Sequence, residues 1–270
     1  MEKDCIYNPE GSILRRDQIE MVRILKHLAE ILEKNDIQWW LSSGTLLGAA
    51  RHKGFIPWDD DIDIVVLRKD FARLEKLLSN MESDEFFFQS MKTDAEYINI
   101  FAKFRKKEGR MAARDRRNKY YKYAGPGLDI FAIEKTNRFS AVVAKFLYHS
   151  IQYPTSYIKI KCIRLFLVRI VEFLHLALIF PLLRLLGKIN PNEEYHYVLG
   201  TGWPDHTFYM KHTFPLSKAE FEGEMMPVPY DMDAYLKAVY GDWKKLPTES
   251  QIKKAIHCRE YRTEIFGSQA

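Results

Sequence analysis

Four aspartates in five residues, Asp59-Asp60-Asp61-Ile62-Asp63, run directly into the apolar stretch Ile64-Val65-Val66. Side chains alternate faces along an extended chain. An extended run therefore puts Asp59, Asp61 and Asp63 on one face and turns Ile62, Ile64 and Val66 to the other. The second face can enter a core, while the first presents a row of carboxylates. Like charges this close raise each other's pKa unless a cation or a hydrogen-bond network offsets them. A divalent metal with oxygen ligands does so, and Mg²⁺ is typically held by one or two carboxylates plus substrate phosphates. The alternative, a solvated acidic turn after Pro57, fits poorly with the apolar continuation.

Upstream, Ser42-Ser43-Gly44-Thr45 reads as a strand end feeding a helix. Glycine permits close backbone approach, and a helix N-terminus offers free N–H groups to a phosphate. Ser43, Gly44 and Thr45 are thus candidates to cradle phosphates through N–H groups and a hydroxyl. Arg51, His52 and Lys53 lie between this turn and the acids. Arg51 is the preferred phosphate contact of the three, with a solvated helix end as the alternative. Trp58 suits a packing or hinge role, or stacking on a base.

The text SGTLLGAARHKGFIPWDDDIDI, with Gly127-Leu128-Asp129-Ile130-Phe131 and a weaker match in Pro227 to Pro247, resembles the LicD family of fukutin-like phosphotransferases. The resemblance implies an α/β (α+β) fold, a nucleotidyltransferase-like mixed sheet flanked by helices. It implies a metal-holding pair, Asp61 and Asp63, and a third carboxylate, Asp129, on a neighbouring strand; these three carry the catalytic roles. Asp59 matches the extra upstream acid of the family, giving a metal set of Asp59, Asp61, Asp63 and Asp129 for Mg²⁺ or Mn²⁺. It implies transfer of a phospho-alcohol from a CDP-activated donor, CDP-choline favoured, to a glycan or glycolipid hydroxyl. One departure is Glu134, where the motif after the third Asp often ends in Asp.

Composition sets outer bounds. A chain of 270 residues can bury a sizeable core, and 47% apolar with 29% charged residues is ordinary globular usage. Net charge is +5, from 41 basic and 36 acidic residues. Cys5, Cys162 and Cys258 are odd in number and far apart, which argues against a disulfide framework or a cysteine-rich zinc site. The N-terminus lacks an apolar core for a signal peptide, so the cytoplasm is the default location, with peripheral attachment to the inner face of the membrane as an extension. None of the eight histidines shows metal-ligand spacing.

Helical spacing of Ile19, Val22, Leu25, Leu28 and Leu32 predicts an amphipathic helix over about Arg15 to Lys34. Ile37 to Leu41 reads as the first core strand, Asp70 to Leu78 as a helix, and Phe86 to Phe88 and Tyr97 to Arg105 as strands. In the last of these, alternation sets Lys103 and Arg105 on one face, suited to grip donor phosphates if that face borders the site. Ten Lys/Arg against two acids between Lys103 and Lys122 read as a solvated loop or a surface for anionic lipid or a phosphate-rich acceptor. No recognition motif accompanies the charge, so nucleic acid is not expected. Leu128 to Ile133 reads as a strand in which Asp129 would be costly to bury alone but gains a metal partner beside Asp61 and Asp63; an ion pair with a nearby Arg is the alternative. Tyr120, Tyr121, Tyr123 and Trp203 are candidates for an aromatic cage around a quaternary ammonium.

Residues 139–190 are rich in Leu, Ile, Phe and Val but carry scattered charges. The longest uncharged stretch, Phe173 to Leu183, is eleven residues, short of the about 20 that a membrane span needs. A helical hairpin is expected, either capping the site or lying at the bilayer interface. The chain then divides into a catalytic core at 1–138, an apolar helical insertion at 139–190 and a closing part at 191–270. A short helix near Ser217 to Glu222 and a later one over Met232 to Tyr240 complete the reading. An ordinary nucleotidyltransferase releasing pyrophosphate, and a non-catalytic glycan-assembly scaffold, are the rival functions.

Overall fold

The computed structural model describes residues 7–109, 116–188, 193–256 and 258–267. Its centre is a seven-stranded mixed sheet of order β1-β2-β5-β4-β3, extended by β6 and β7. The strands are β1 (Trp39–Leu41), β2 (Asp63–Leu67), β3 (Phe86–Gln89), β4 (Ala102–Lys106), β5 (Gly127–Lys135), β6 (Glu194–Tyr197) and β7 (Phe208–Tyr209). Among the described residues, only β2 and β5 pair in parallel. The nine residues of β5 make it the hub, pairing β2 on one edge and β4 and then β6 on the other.

Helix α1 (Ile13–Lys34) follows the predicted periodicity, burying Met21, Ile24, Leu25, Leu28 and Leu32 against the sheet. Ser12 caps it, accepting from the Arg15 N–H. Glu264, from far along the chain, accepts from the N–H groups of Ile13 and Leu14, placing negative charge where the helix dipole favours it. Helices α2 (Ser43–His52) and α3 (Arg68–Ser79) flank β2. At α2 a Cβ on Gly48 would lie 2.4 Å from the Gly54 carbonyl oxygen, so the helix can only pack this closely with glycine there.

Two expected elements differ. The strand expected over Tyr97 to Arg105 begins only at Ala102; at the start of that stretch the N–H groups of Glu96 and Tyr97 bond back to Asp94 in a turn. The helix expected near Ser217 is instead strand β8 (Ser217–Phe221), paired with β9 (Glu224–Val228). Glu222 and Gly223, both at positive φ, form the tight turn between them. Glu222 then binds Arg15 at 2.7 Å and the Phe55 N–H at 3.0 Å, fastening the hairpin to the start of the fold.

Residues 138–188 form the expected helical hairpin. Helix α4 (Arg138–Gln152) and a 3₁₀ turn, Tyr153–Tyr157, lead to α5 (Lys161–Phe173), a π turn at Leu174–Ile179 and α6 (Phe180–Lys188). The last three are continuous, giving a 28-residue helix long and apolar enough, by length and composition only, to cross a membrane. The uncharged stretch from Phe173 to Leu183 is only part of that length. Ala144, Tyr148, Phe180, Leu183 and Leu199 give the hairpin a small core of its own.

Two carboxylates fasten the hairpin to the core, Glu96 in the β3–β4 connection and Glu134 on β5. Glu96 binds Arg164 at 2.7 Å and Arg117 at 3.2 Å, all three buried, and Arg117 also donates to the Thr155 hydroxyl at 3.0 Å. Arg117 belongs to the basic run expected to be solvated, yet is 1% exposed; residues 110–115 of that run lie outside the described residues. Glu134 binds Arg184 at 2.7 Å and Arg68 at 3.2 Å. After the hairpin come α7 (Met210–Thr213), α8 (Met232–Tyr240), α9 (Glu249–Ala255) and α10 (Arg259–Phe266).

Removing one partner of a buried ion pair leaves uncompensated charge, at about 3–5 kcal/mol. Glu96→Ala is expected to lose stability of that order in urea denaturation. Limited proteolysis should then open the chain first between α4 and α5.

Candidate active site

Three adjacent strands set the site. Asp63 on β2 lies opposite Asp129 on β5, and Asp129 lies opposite Lys103 on β4. In-register neighbours share a face, so Asp63, Asp129 and Lys103 form one row across the sheet. The Lys103 ammonium donates to the Asp129 carboxylate, so the partner of Asp129 is this lysine rather than an arginine.

Asp59, Asp60 and Asp61 precede β2 in irregular backbone, and each offers an oxygen within 4.8 Å of the others. Asp60 is buried while Asp59, Asp61 and Asp63 are half-exposed, so the alternation read from sequence persists although the strand starts only at Asp63. The segment is fixed from several directions. Gln18 donates to the Asp59 carbonyl at 2.9 Å, the Asp129 N–H to the Ile62 carbonyl at 2.8 Å, and the Ser42 N–H to the Asp63 carbonyl at 3.0 Å.

The N-terminus of α2 faces these acids. A Cβ on Gly44 would lie 2.4 Å from Asp59 Oδ2, so the close approach depends on glycine. Ser43, at φ 50°, shares a hydrogen bond of 3.0 Å with the Tyr197 hydroxyl. Ser42 shares one of 3.1 Å with Tyr235, whose phenol burial pushes up to about 12. Burial also pushes up the phenols of Tyr197 and Tyr240, with Asp63 adding to both. These phenols stay protonated and can donate near the carboxylates.

A cavity of about 780 Å³ joins these parts, within the size range of small-molecule sites. Ser43, Gly44, Asp59, Asp60, Asp61, Asp63, Asp129, Lys103 and Arg105 all line it. Asn99 and Phe101 line it with Lys103 and Arg105, so the face read from alternation does border the cavity, even where the chain is not strand. Arg105 is buried, which lowers its pKa, and donates to the Tyr123 carbonyl at 2.9 Å. The donor set is hard carboxylate oxygen, the type that suits Mg²⁺ or Mn²⁺.

Two predicted phosphate contacts lie elsewhere. The Thr45 hydroxyl is buried and accepts from the Asp63 N–H at 2.8 Å, supporting the strand start. Arg51 donates to the Lys245 carbonyl at 3.0 Å and sits 6.0 Å from the Trp243 ring centroid. Its position at the end of α2 carries it away from the N-terminal turn. Of the cage candidates, Tyr121 and Trp203 line the cavity. Tyr120 instead stacks under Arg164 at 3.9 Å, and Tyr123 packs on Phe87 at 4.8 Å. Sequence reasoning missed Asp60, hidden by the alternation, and Arg117, hidden in a basic run. It also missed Tyr153 and Tyr157, which no local pattern marks; all four line the cavity.

Thr45→Val removes the partner of a buried N–H, a loss of about 1–3 kcal/mol. Urea denaturation should show that loss, and hydrogen exchange at the Asp63 amide should accelerate.

Comparison with known proteins gives local matches. The chain is 44% identical over 64 residues to an uncharacterized protein of Rickettsia prowazekii, covering 24% of each chain. It is 47% identical over 60 residues to the lipopolysaccharide cholinephosphotransferase LicD of Haemophilus influenzae, covering 22% of this chain and 23% of that one. It is 40% identical over 52 residues to the mouse ribitol 5-phosphate transferase FKRP, covering 19% and 10%. The matches thus span about a quarter or less of those relatives' own lengths. The family model "LicD/FKTN/FKRP, nucleotidyltransferase domain" extends further, over residues 36–171, just over half of the chain and including every carboxylate of the cavity, and the chain belongs to that family.

Proposed function

We propose that this chain is a metal-dependent phosphotransferase, moving phosphocholine or a similar phospho-alcohol from a CDP-activated donor to a glycan hydroxyl and releasing CMP. The acceptor would be a cell-surface glycan, teichoic acid or lipopolysaccharide precursor. The observation that carries the reading is the meeting of Asp63 and Asp129 on adjacent strands, beside Asp59, Asp60 and Asp61, in a cavity that also holds Lys103 and the α2 N-terminus. Two named relatives, a cholinephosphotransferase and a ribitol 5-phosphate transferase, support it.

Asp59, Asp61, Asp63 and Asp129 would hold Mg²⁺ or Mn²⁺. Bound there, the ion would supply positive charge against the negative charge developing on the leaving CMP oxygen. The α2 N-terminus at Ser43 and Gly44, with Lys103 and Arg105, would orient the donor diphosphate. The acceptor oxygen attacks the phosphorus bearing the alcohol, the bond to the bridging oxygen breaks, and CMP leaves with that electron pair. Asp129 would either share the metal or, left free of it, take the hydroxyl proton and pass it to water. Tyr121, Trp203 and neighbouring rings offer apolar and π surface to the alcohol part.

The test is CMP release from CDP-choline with Mg²⁺ and membrane-glycan extract, repeated with CDP-ribitol and CDP-glycerol. Asp63→Asn and Asp129→Asn should each lower the rate by at least about a hundredfold, as lost transition-state electrostatics do. Pyrophosphate release from a nucleoside triphosphate would replace this reading with nucleotidyl transfer, and silence with all donors would favour the scaffold. Gly44→Ala should leave the melting temperature close to wild type, since a flexible carboxylate can yield. It should nonetheless cut the rate, because the added methyl displaces Asp59.

A further inference from the structure

The sequence leaves open whether the hairpin caps the site or lies at the bilayer interface, and the structure shows where the charges scattered through its long helix point. Arg164 binds Glu96, Arg169 binds the buried Glu172, and Arg184 binds Glu134. Each belongs to an ion pair with a buried carboxylate. What the helix from Lys161 to Lys188 turns outward is otherwise apolar, including Phe166 (65% exposed), Phe173 (63%) and Leu182 (63%). Helix α4 continues that face with Phe139, Val142 and Phe146, all exposed. Arg169 is the exception among the exposed residues between the terminal lysines.

We infer that the outer face of this hairpin docks onto an anionic phospholipid bilayer, lying in the plane of one leaflet. Residues 138–188 hold eight Lys/Arg against one acid, Glu172, which is buried and paired. The exposed Lys159, Lys161 and Lys188 stand at the ends of the apolar face, where long cationic side chains reach headgroups. The long helix is fastened near one end by Arg164–Glu96 and near the other by Arg184–Glu134. Its inner stripe, including Val168, Phe180 and Leu183, is buried against the protein. A helix held along its length in this way lies on the bilayer; crossing it would break both ion pairs. A face about 40 Å long at 1.5 Å per residue, apolar within and cationic at its ends, is the pattern of an interfacial helix. The turn between the helices contributes Tyr153 and Tyr157 to the cavity as well, so docking brings the cavity to the membrane surface.

The experiment adds the purified full chain to preformed vesicles of phosphatidylcholine, alone or mixed with phosphatidylglycerol, and measures co-sedimentation and light scattering. It needs no donor or acceptor, so its outcome is independent of the proposed reaction. Wild type should sediment with the mixed vesicles and far less with phosphatidylcholine alone. Phe166→Glu/Phe173→Glu/Leu182→Glu, at exposed positions, should keep its circular dichroism spectrum and partition at least tenfold more weakly. Should that variant lose its fold, Phe166→Ser/Phe173→Ser carries the same test. Three results overturn the inference: wild type left in solution with both vesicle types, variant binding equal to wild type, or a wild-type dimer that buries this face and excludes vesicles.

Discussion

Everything near the cavity answers one constraint, the concentration of five carboxylates at one end of a sheet. Like charges repel, and crowding them together costs free energy unless donors or cations offset it. The fold meets this with Lys103 against Asp129, with protonated phenols around Asp63, and with the positive end of α2 directed at Asp59. Glycine at position 44 lets that helix end come close, and the Thr45 hydroxyl holds the first strand amide beside it. The same devices that make the cluster tolerable would hold an anionic substrate over it.

Much of this was legible in the sequence because it is local. The acid run and its apolar continuation set which carboxylates face outward, and alternation alone put Lys103 and Arg105 on the cavity side. The amphipathic period of α1 was equally direct. What escaped the reading was long-range. Nothing near Arg51 announces that Lys245 will accept from it, and nothing near Arg117 announces a buried carboxylate at Glu96. The Ser217 segment was read as a helix; its hairpin turn at Glu222-Gly223 is held by Arg15 and Phe55, over 160 residues earlier.

The hairpin at 138–188 shows the limit of counting charges along a line. Its basic residues interrupt the apolar text at intervals that argue against a membrane span. Folded, Arg164 and Arg184 reach inward to Glu96 and Glu134, Arg169 pairs with Glu172 along the helix while staying exposed, and the rest of the outward surface between Lys161 and Lys188 is apolar. Where the carboxylate partners lie, two of them outside the segment, decides the character of its surface, and local composition cannot report that.

The Glu264 carboxylate at the start of α1 carries a consequence for how the chain acquires its form. The first helix receives its N-terminal acceptor from a residue 251 positions downstream, and Arg15 receives Glu222 from 207 positions away. During synthesis at the ribosome, α1 therefore emerges long before the groups that complete it. Contacts separated this widely in sequence are closed late and slowly, since loop closure precedes any reward. The nascent chain thus waits with its apolar helix face exposed, and a chaperone that shields such a face has its window at that stage.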